Sequence, residues 1–272
     1  MERIILIETS TALCSVALAE DGAVTAYRES SAPKAHASLT AVFIQEMLDE
    51  RGLKLADCDA VCVSMGPGSY TGLRVGVSTA KGLCFGAGKP LLAVGTLDTL
   101  VAQASGEIAG QAGNDGQQTG KNGQQTGKDG QQADNDGQQT GKDGCTSVVI
   151  PGLTGNPRFI IPMVDARRME VYTAVFENGQ QIAETAPAII DENSFAEYLE
   201  QGPCLFIGDG AGKCADVIRH PNAHFCQCHP KASSMLAPAL AAYRAGDFKD
   251  VAYFEPFYLK EFVATVSKKK LF

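Results

Sequence analysis

The stretch from residue 66 to residue 76 constrains the fold of this chain more than any other feature. It reads Gly-Pro-Gly-Ser-Tyr-Thr-Gly-Leu-Arg-Val-Gly and follows an apolar run. Gly-Pro-Gly ends a strand and turns the backbone, and Ser69 or Thr71 can then cap a helix. Within that helix, small residues recur every four positions at Gly72, Gly76 and Ala80. Such a bare face lets another backbone approach closely, so the motif predicts packing and assembly rather than chemistry.

Composition limits the classes of protein that the chain can represent. Its 272 residues are 44% hydrophobic, which is enough for one large domain or two small ones. The formal net charge of −8 argues against independent binding to nucleic acid, because phosphate contacts need clustered Lys and Arg. The single basic run, Lys268-Lys269-Lys270, is interpreted as a solvated tail.

Cysteine usage and the absence of apolar spans predict a cytoplasmic protein. The nine cysteines are an odd number and no secretory leader precedes them, so they are expected to be reduced thiols. No segment approaches the roughly 18 apolar residues of a membrane span.

Strands and helices alternate through both halves of the sequence. A strand meander over residues 4–27 is followed by a helix over about 34–51, a strand over 60–65, the helix described above and a strand over 91–94. A second series of strands and helices begins at Phe159.

A tandem repeat of seven residues separates the two halves. From Gly116 it reads GQQTGKN, GQQTGKD, GQQADND and GQQTGKD. The repeat lacks a regular apolar position, so it cannot form a coiled coil or bury enough surface to fold. We expect residues 110–145 to be a disordered insertion at the surface of the protein.

Several motifs closely resemble the TsaB (YeaZ) family. The resemblance covers the chain except for about 105–147, and its motifs are residues 66–76, 4–18, 162–172, 207–210 and 256–259. It implies an α/β protein with an actin/Hsp70-like (ASKHA) two-lobed fold, in which mixed sheets are flanked by helices. The expected first lobe is 1–104 plus about 231–246, the disordered insertion is 105–147, and the smaller second lobe is 148–230 plus about 247–272.

The resemblance also implies a function. Members of the family are non-catalytic partners of a TsaD-type threonylcarbamoyltransferase, which modifies the adenosine next to the anticodon of tRNA. A TsaE-type ATPase joins the complex, and tRNA is reached only through it. A homodimer is the alternative assembly in isolation. The other functions left open are an ATP-binding transferase of the same fold class, a metal-dependent glycoprotease-like peptidase, and a sensor that binds ATP without turnover.

The resemblance also implies that the partner interface is formed by two helices, at about 36–51 and 70–86. The expected interface residues are His36, Leu39, Phe43, Met47, Tyr70, Gly72, Gly76 and Ala80.

Two loops resemble nucleotide-binding loops of the fold class. The candidate residues are Glu8, Thr9, Ser10, Thr11, Gly208 and Gly210. Hydroxyls and backbone N–H groups can cradle phosphate, and a carboxylate can hold Mg²⁺ through water. Glu8 is one methylene longer than the Asp usual at its position, which displaces such a metal. The favoured interpretation is therefore structural, with ATP or ADP at the partner interface as the alternative.

Two groups of residues suggest a metal site, but neither has the spacing that metal ligands require. Catalytic relatives carry two histidines four residues apart, whereas this chain has His36 and Thr40. The cluster of His220, His224, Cys226, Cys228 and His229 lacks the Cys-x2-Cys or Cys-x4-Cys spacing of structural zinc. No metal and no catalytic residue are predicted.

A charged turn at residues 165–170 allows two interpretations. It contains Asp165, Arg167, Arg168 and Glu170 directly after a predicted strand. It is either a salt-bridged hairpin of little energetic value or a surface that docks a partner or phosphate.

Overall fold

The computed structural model describes residues 1–114 and 155–259 as two five-stranded sheets with flanking helices. The first sheet contains β1 (Arg3–Glu8), β2 (Cys14–Glu20), β3 (Ala23–Ser30), β4 (Ala60–Ser64) and β5 (Leu91–Val94). Its helices are α1 (Ala35–Glu50), α2 (Tyr70–Ala87) and α3 (Thr96–Asn114). The second sheet contains β6 (Phe159–Asp165), β7 (Glu170–Glu177), β8 (Gln180–Ile189), β9 (Cys204–Gly208) and β10 (Ala223–Gln227). The remaining helices are α4 (Ala196–Leu199), α5 (Ala211–Ala215) and α6 (Leu236–Ala245).

Both sheets follow the same topological plan. The strand orders are β3-β2-β1-β4-β5 and β8-β7-β6-β9-β10. In each sheet an antiparallel meander of three strands is extended by two strands parallel to the first. The predicted α/β class, with mixed sheets flanked by helices, is confirmed.

Strand β1 lies at the centre of the first lobe and is covered on both faces. Ile5 and Ile7 pack in a layer with α1 and α2, whereas Ile4 and Leu6 pack in a layer with α6 and the short turn before it. A continuous run of buried apolar residues is typical of a strand enclosed on both sides. Because β1, β4 and β5 run parallel, they end at the same edge of the sheet, where polar loops follow them.

Helix α2 has the start that its sequence predicts. Ser69 Oγ accepts a hydrogen bond from Gly72 N at 3.3 Å, so Ser69 rather than Thr71 caps the helix. The helix ends at Gly88, whose φ of 63° lies in the left-handed region that glycine tolerates best.

Helix α3 joins the two lobes. It follows β5 of the first sheet, yet Leu100 and its apolar neighbours pack with Val164 and Leu205 of the second sheet. Gln103 Nε2 donates to His229 O at 3.2 Å. These contacts connect the two sheets through one helix. Among the described residues, no helix is both long and apolar enough to cross a membrane.

The expected insertion begins later than the sequence indicates. Residues 105–114 were assigned to it, but they continue α3 to Asn114. The seven-residue repeats lie outside the described residues, so the expectation of disorder there stays a prediction.

The segment after α6 lies on the first lobe, not on the second lobe to which 247–272 was assigned. Lys249 N donates to Leu91 O, and Phe257 N donates to Met65 O, both at 2.7 Å. Val251 and Phe254 pack against the layer that contains α1 and α2. The assignment is therefore wrong for residues 247–258, whose irregular backbone gives no helical or strand period to interpret. Residues 260–272 lie outside the described part of the chain.

Candidate functional site

The loop after β1 holds four of the residues predicted to contact a nucleotide: Glu8, Thr9, Ser10 and Thr11. All four side chains are buried. Ser10 N donates to Glu8 Oε1 at 2.6 Å, and Thr9 Oγ1 donates to Gly72 O at 2.9 Å. The loop is therefore closed by hydrogen bonds within the lobe and lies directly against α2.

The small-residue face of α2 is directed at this loop. A methyl group on Gly72 would overlap Thr9 O, and one on Gly76 would overlap Thr9 Oγ1. Ala80 is fully buried in the layer between the helices and the sheet. Placing Gly72, Gly76 and Ala80 in a partner interface was wrong, because these residues already pack against their own lobe.

Two residues of α1 that were expected in the partner interface are also buried within the lobe. Phe43 and Met47 are 3% and 1% exposed and belong to the core layer beneath α1 and α2. Leu39 is half-buried against that layer. Phe43 and Met47 therefore stabilise the lobe and are not available to a partner.

His36 connects α1 to the loop after β1. Its Nε2 lies 2.8 Å from Thr11 O, and Thr40 Oγ1 donates to His36 O at 2.6 Å. Cys14 Sγ lies 3.3 Å from Thr40 Oγ1. His36 is half-buried, and its imidazole positions the loop rather than forming part of an open surface.

The outer faces of α1 and α2 expose other residues. Val42 is 45% exposed and Phe85 is 86% exposed. An added methyl group on Gly82 or Gly86 would meet nothing within 4 Å. Exposed apolar residues beside open glycines are typical of an interaction surface. Sequence reasoning missed this face because both sides of α2 carry small and apolar residues.

Tyr70 lies at the start of α2 in an aromatic contact. Its ring centroid is 4.9 Å from that of Tyr258, and the Arg74 guanidinium lies 5.3 Å from the Tyr70 centroid. Tyr258 is 37% exposed. This arrangement leaves Tyr70 half-buried at the rim of the outer face, so its predicted role at an interface is kept as a proposal.

Glu8 is a buried carboxyl without a cationic partner among the described residues. Burial raises its pKa from the ordinary value of 4.5 to about 7, although the hydrogen bond from Ser10 N acts in the opposite direction. Its Oε2 has no hydrogen-bond partner in the described structure, nor do Ser10 Oγ and Thr96 Oγ1. A carboxyl in this environment can hold a proton near neutral pH, but it is closed off from solvent.

The second candidate loop, at Gly208 and Gly210, is also occupied by internal contacts. Gly208 has a φ of 134°, and a methyl group there would overlap Met163 O. Gly210 N donates to Met163 O at 3.0 Å. Between them, Asp209 Oδ1 accepts a hydrogen bond from Asp165 N at 3.0 Å, and burial raises the pKa of Asp209. The glycines thus allow β9 to approach β6 closely.

The His/Cys cluster near residue 220 is spread over several environments. His220 Nδ1 accepts from Asn222 N at 3.2 Å, whereas Cys226 is buried in the layer beneath α3. His229 Nδ1 lies 3.9 Å from Asp209 Oδ2. Across residues 1–114 and 155–259, no three His, Cys, Asp or Glu side chains are grouped as a metal site would require.

Glycine substitutions on the two faces of α2 should have opposite effects on stability. We expect Gly76→Ala to lower the free energy of unfolding by about 1–3 kcal/mol, because its methyl group overlaps Thr9. Gly82→Ala should raise that energy by up to about 1 kcal/mol, because it gains helix propensity in open space. Urea unfolding of both variants measures the difference. Equal stabilities would contradict the close contact between the loop and α2.

The buried carboxyl should make the stability of the protein depend on pH. Because folding raises the pKa of Glu8 from 4.5 to about 7, the folded state holds the proton more tightly than the unfolded chain. The free energy of unfolding should therefore fall on the order of 3 kcal/mol as pH rises through this window. Glu8→Gln should lose this component, so its stability relative to wild type should increase with pH.

Urea unfolding between pH 4.5 and 7.5 measures this change in stability, and Glu192→Gln at an exposed site is the control. Parallel pH profiles for Glu8→Gln and wild type would contradict the expectation.

Comparison with known proteins identifies relatives for both the whole chain and the first lobe. The family described as TsaD, tRNA N6-adenosine threonylcarbamoyltransferase, matches residues 29–114. The tRNA threonylcarbamoyladenosine biosynthesis protein TsaB of Escherichia coli (strain K12) is 29% identical over 273 residues, or 96% of each chain. The TsaB protein of Haemophilus influenzae is 41% identical over 105 residues, which are 39% of this chain and 44% of that protein.

A solved structure extends the similarity to the fold. YeaZ from Pseudomonas aeruginosa superposes with a TM-score of 0.68 at 23% identity, covering 95% of this chain and 100% of that one. The expected actin-like fold class is thereby confirmed. The similarity to TsaB runs the length of both chains and supports placing the protein in the TsaB (YeaZ) family.

Proposed function

We propose that this protein is the non-catalytic partner of a TsaD-type threonylcarbamoyltransferase. In this role it supports the threonylcarbamoyl modification of the adenosine next to the anticodon of tRNA. The observation that carries the proposal is the similarity, over 96% of each chain, to a protein named for tRNA threonylcarbamoyladenosine biosynthesis. Such a role would place the protein in the cytoplasm with its tRNA substrate.

The geometry of the first lobe favours a supporting role over an independent catalytic one. The loop that would grip phosphate is buried under α2, and its hydroxyls and carboxyl do not face an open cleft. His36, which stands where catalytic relatives are expected to hold a metal, contacts Thr11 O. The protein would therefore contribute through contact with its partner.

The proposed contact surface is the outer face of α1 and α2, defined by Val42, Gly82, Phe85 and Gly86. These residues are exposed, and open glycines let a facing helix approach closely. The part of the chain that matches the TsaD family, residues 29–114, includes both helices. The partner would then present a related pair of helices, so that the two proteins pack about an approximate twofold axis. The same surface would support a homodimer when the partner is absent.

The remaining components would assemble around this pair. A TsaE-type ATPase joins the complex, and ATP or ADP binds at the seam between the partners rather than in the closed loop at Glu8. The tRNA is engaged by the complex, since a chain with a net charge of −8 is poorly suited to bind it alone.

A charge on the outer face should prevent assembly without unfolding the protein. We expect Phe85→Asp to weaken binding to the TsaD-type protein of the same organism by roughly 30-fold or more, as for a central interface residue. Because Phe85 is 86% exposed, the thermal midpoint of the monomer should stay near that of wild type. Isothermal titration measures the affinity. Ile189→Asp, at a 78% exposed site on the second lobe, is the matched control. A complex of wild-type strength with Phe85→Asp would place the contact elsewhere.

Catalysis should require the partner. The isolated protein is expected neither to hydrolyse ATP nor to modify tRNA, whereas mixing it with the TsaD-type protein, the ATPase and the threonylcarbamoyl donor should yield modified tRNA. Mass spectrometry of digested tRNA measures the product. Robust ATP turnover by the isolated chain that Glu8→Ala abolishes would instead favour an ATP-dependent enzyme.

A further inference from the structure

We propose that the turn between β6 and β7 is a contact site for an RNA backbone, with Arg167 and Arg168 as its phosphate-binding side chains. The proposal rests on the function proposed above, because the RNA would be the tRNA bound by the assembled complex. It assigns to this chain a direct part in holding the substrate.

The backbone of the turn is strained at both arginines. Arg167 has a φ of 72° and Arg168 a φ of 53°. Two successive residues in the left-handed region form a turn geometry for which Asn-Gly or Gly-Gly is preferred. A side chain raises the conformational cost there, and strain of this kind is concentrated at functional sites. The presence of two arginines at these strained positions therefore points to a use for their side chains.

Hydrogen bonds hold the strained turn in one conformation. Asp165 Oδ1 accepts a hydrogen bond from Arg167 N at 2.8 Å. Lys213 Nζ donates to Arg168 O and to Glu170 O, each at 2.7 Å, and forms an ion pair with Asp165. The turn is thus a prearranged platform, so little conformational freedom of the backbone is lost when a ligand binds.

The two guanidinium groups carry positive charge that the described protein does not neutralise. Both arginine side chains are exposed, and neither forms a hydrogen bond or an ion pair with another described residue. Asp165, the acidic residue at the start of the turn, is already paired with Lys213. In a chain with a net charge of −8, this leaves a local basic site. Guanidinium forms two parallel hydrogen bonds to phosphate oxygens, which suits it to nucleic-acid backbones.

The turn differs from the corresponding loop of the first lobe in its exposure and in its residues. In the shared topology, the β6–β7 turn corresponds to the β1–β2 loop. The loop in the first lobe is buried beneath the long helix α2, which follows β4, whereas the corresponding helix after β9, which contacts the turn through Lys213, is the five-residue α5. The shorter helix leaves the turn exposed, and the chain places arginines there in place of hydroxyl residues.

RNA rather than a protein partner is the favoured occupant. Met169, the apolar residue of the turn, packs against the core of the second lobe and is not directed outward. The most exposed side chains of the turn are therefore charged, as is typical of phosphate binding, whereas the exposed Ile189 lies on the neighbouring strand β8, opposite Glu170.

The test compares tRNA binding by the complete complex assembled with wild type or with Arg167→Gln/Arg168→Gln. Glutamine keeps the Cβ atoms, so the strain of the turn is unchanged. We expect the dissociation constant for tRNA to rise about tenfold, and the slope of log K against log salt to decrease in magnitude by about two. An unrelated RNA of similar length should be weakened equally, because backbone contacts carry no sequence information. Arg167→Lys/Arg168→Lys should restore most of the slope.

The control variant also removes two positive charges, but at the edges of the two sheets where the parallel strands begin. Lys54 precedes β4, and Arg219 precedes β10, so both lie near strand starts, whereas the turn follows the end of β6. Both are exposed. Lys54→Gln/Arg219→Gln should leave the dissociation constant and the salt slope of the complex as in wild type. An equal loss of affinity in this control would show a general charge effect and overturn the proposal.

Assembly is measured separately by size exclusion, so each failure has its own signature. If the glutamine variant no longer joins the TsaD-type partner, the turn is a protein contact and the proposal is wrong. If the variant assembles and binds tRNA with the affinity and salt slope of wild type, the proposal is also wrong. Failure of the wild-type chain to assemble would contradict the proposed function itself, before any variant is compared.

Discussion

The first lobe depends on the close approach of the β1–β2 loop to helix α2. Thr9 lies against Gly72 and Gly76, where any added carbon atom would overlap it. This contact draws α2 onto the sheet, and the bond between His36 and Thr11 O draws α1 towards the same loop. The positions of both helices, and therefore of the outer face that they form, follow from how closely this loop can approach.

Closure of the loop also changes the chemistry of its polar residues. Because Glu8 is sealed from water without a cation among the described residues, protonation is its favoured state at mildly acidic pH. Hydroxyls that could bind a phosphate in an open cleft instead face the interior of the lobe. In contrast, exposed side chains such as Phe85 and Arg167 lie on the outer face of α2 and on the β6–β7 turn.

The sequence predicts most strands and helices because their apolar periods are regular, and β5 agrees residue for residue. It identifies the bare face of α2 but not the neighbour of that face, because α2 has small residues on two sides. Phe43 and Val42 are adjacent and both apolar, yet only the fold determines that the first is buried and the second exposed. Strand β8 forms the edge of its sheet and its apolar residues alternate weakly, so its sequence carries little strand signal. The paired arginines are visible in sequence, but their strained backbone is not.

The path of the chain after β10 determines the order in which the lobes can be completed. Among the described residues, the strands of the second sheet all lie within 159–227, whereas the helical residues that cover Ile4 and Leu6 of the first sheet lie within 232–245. Residues 249–257 then hydrogen-bond to the first lobe. During synthesis, the first lobe therefore keeps an uncovered apolar face until residues 232–245 have emerged after the second sheet, which reverses the usual order in which the first domain folds first. A premature stop near residue 230 would spare the second sheet and expose the core of the first.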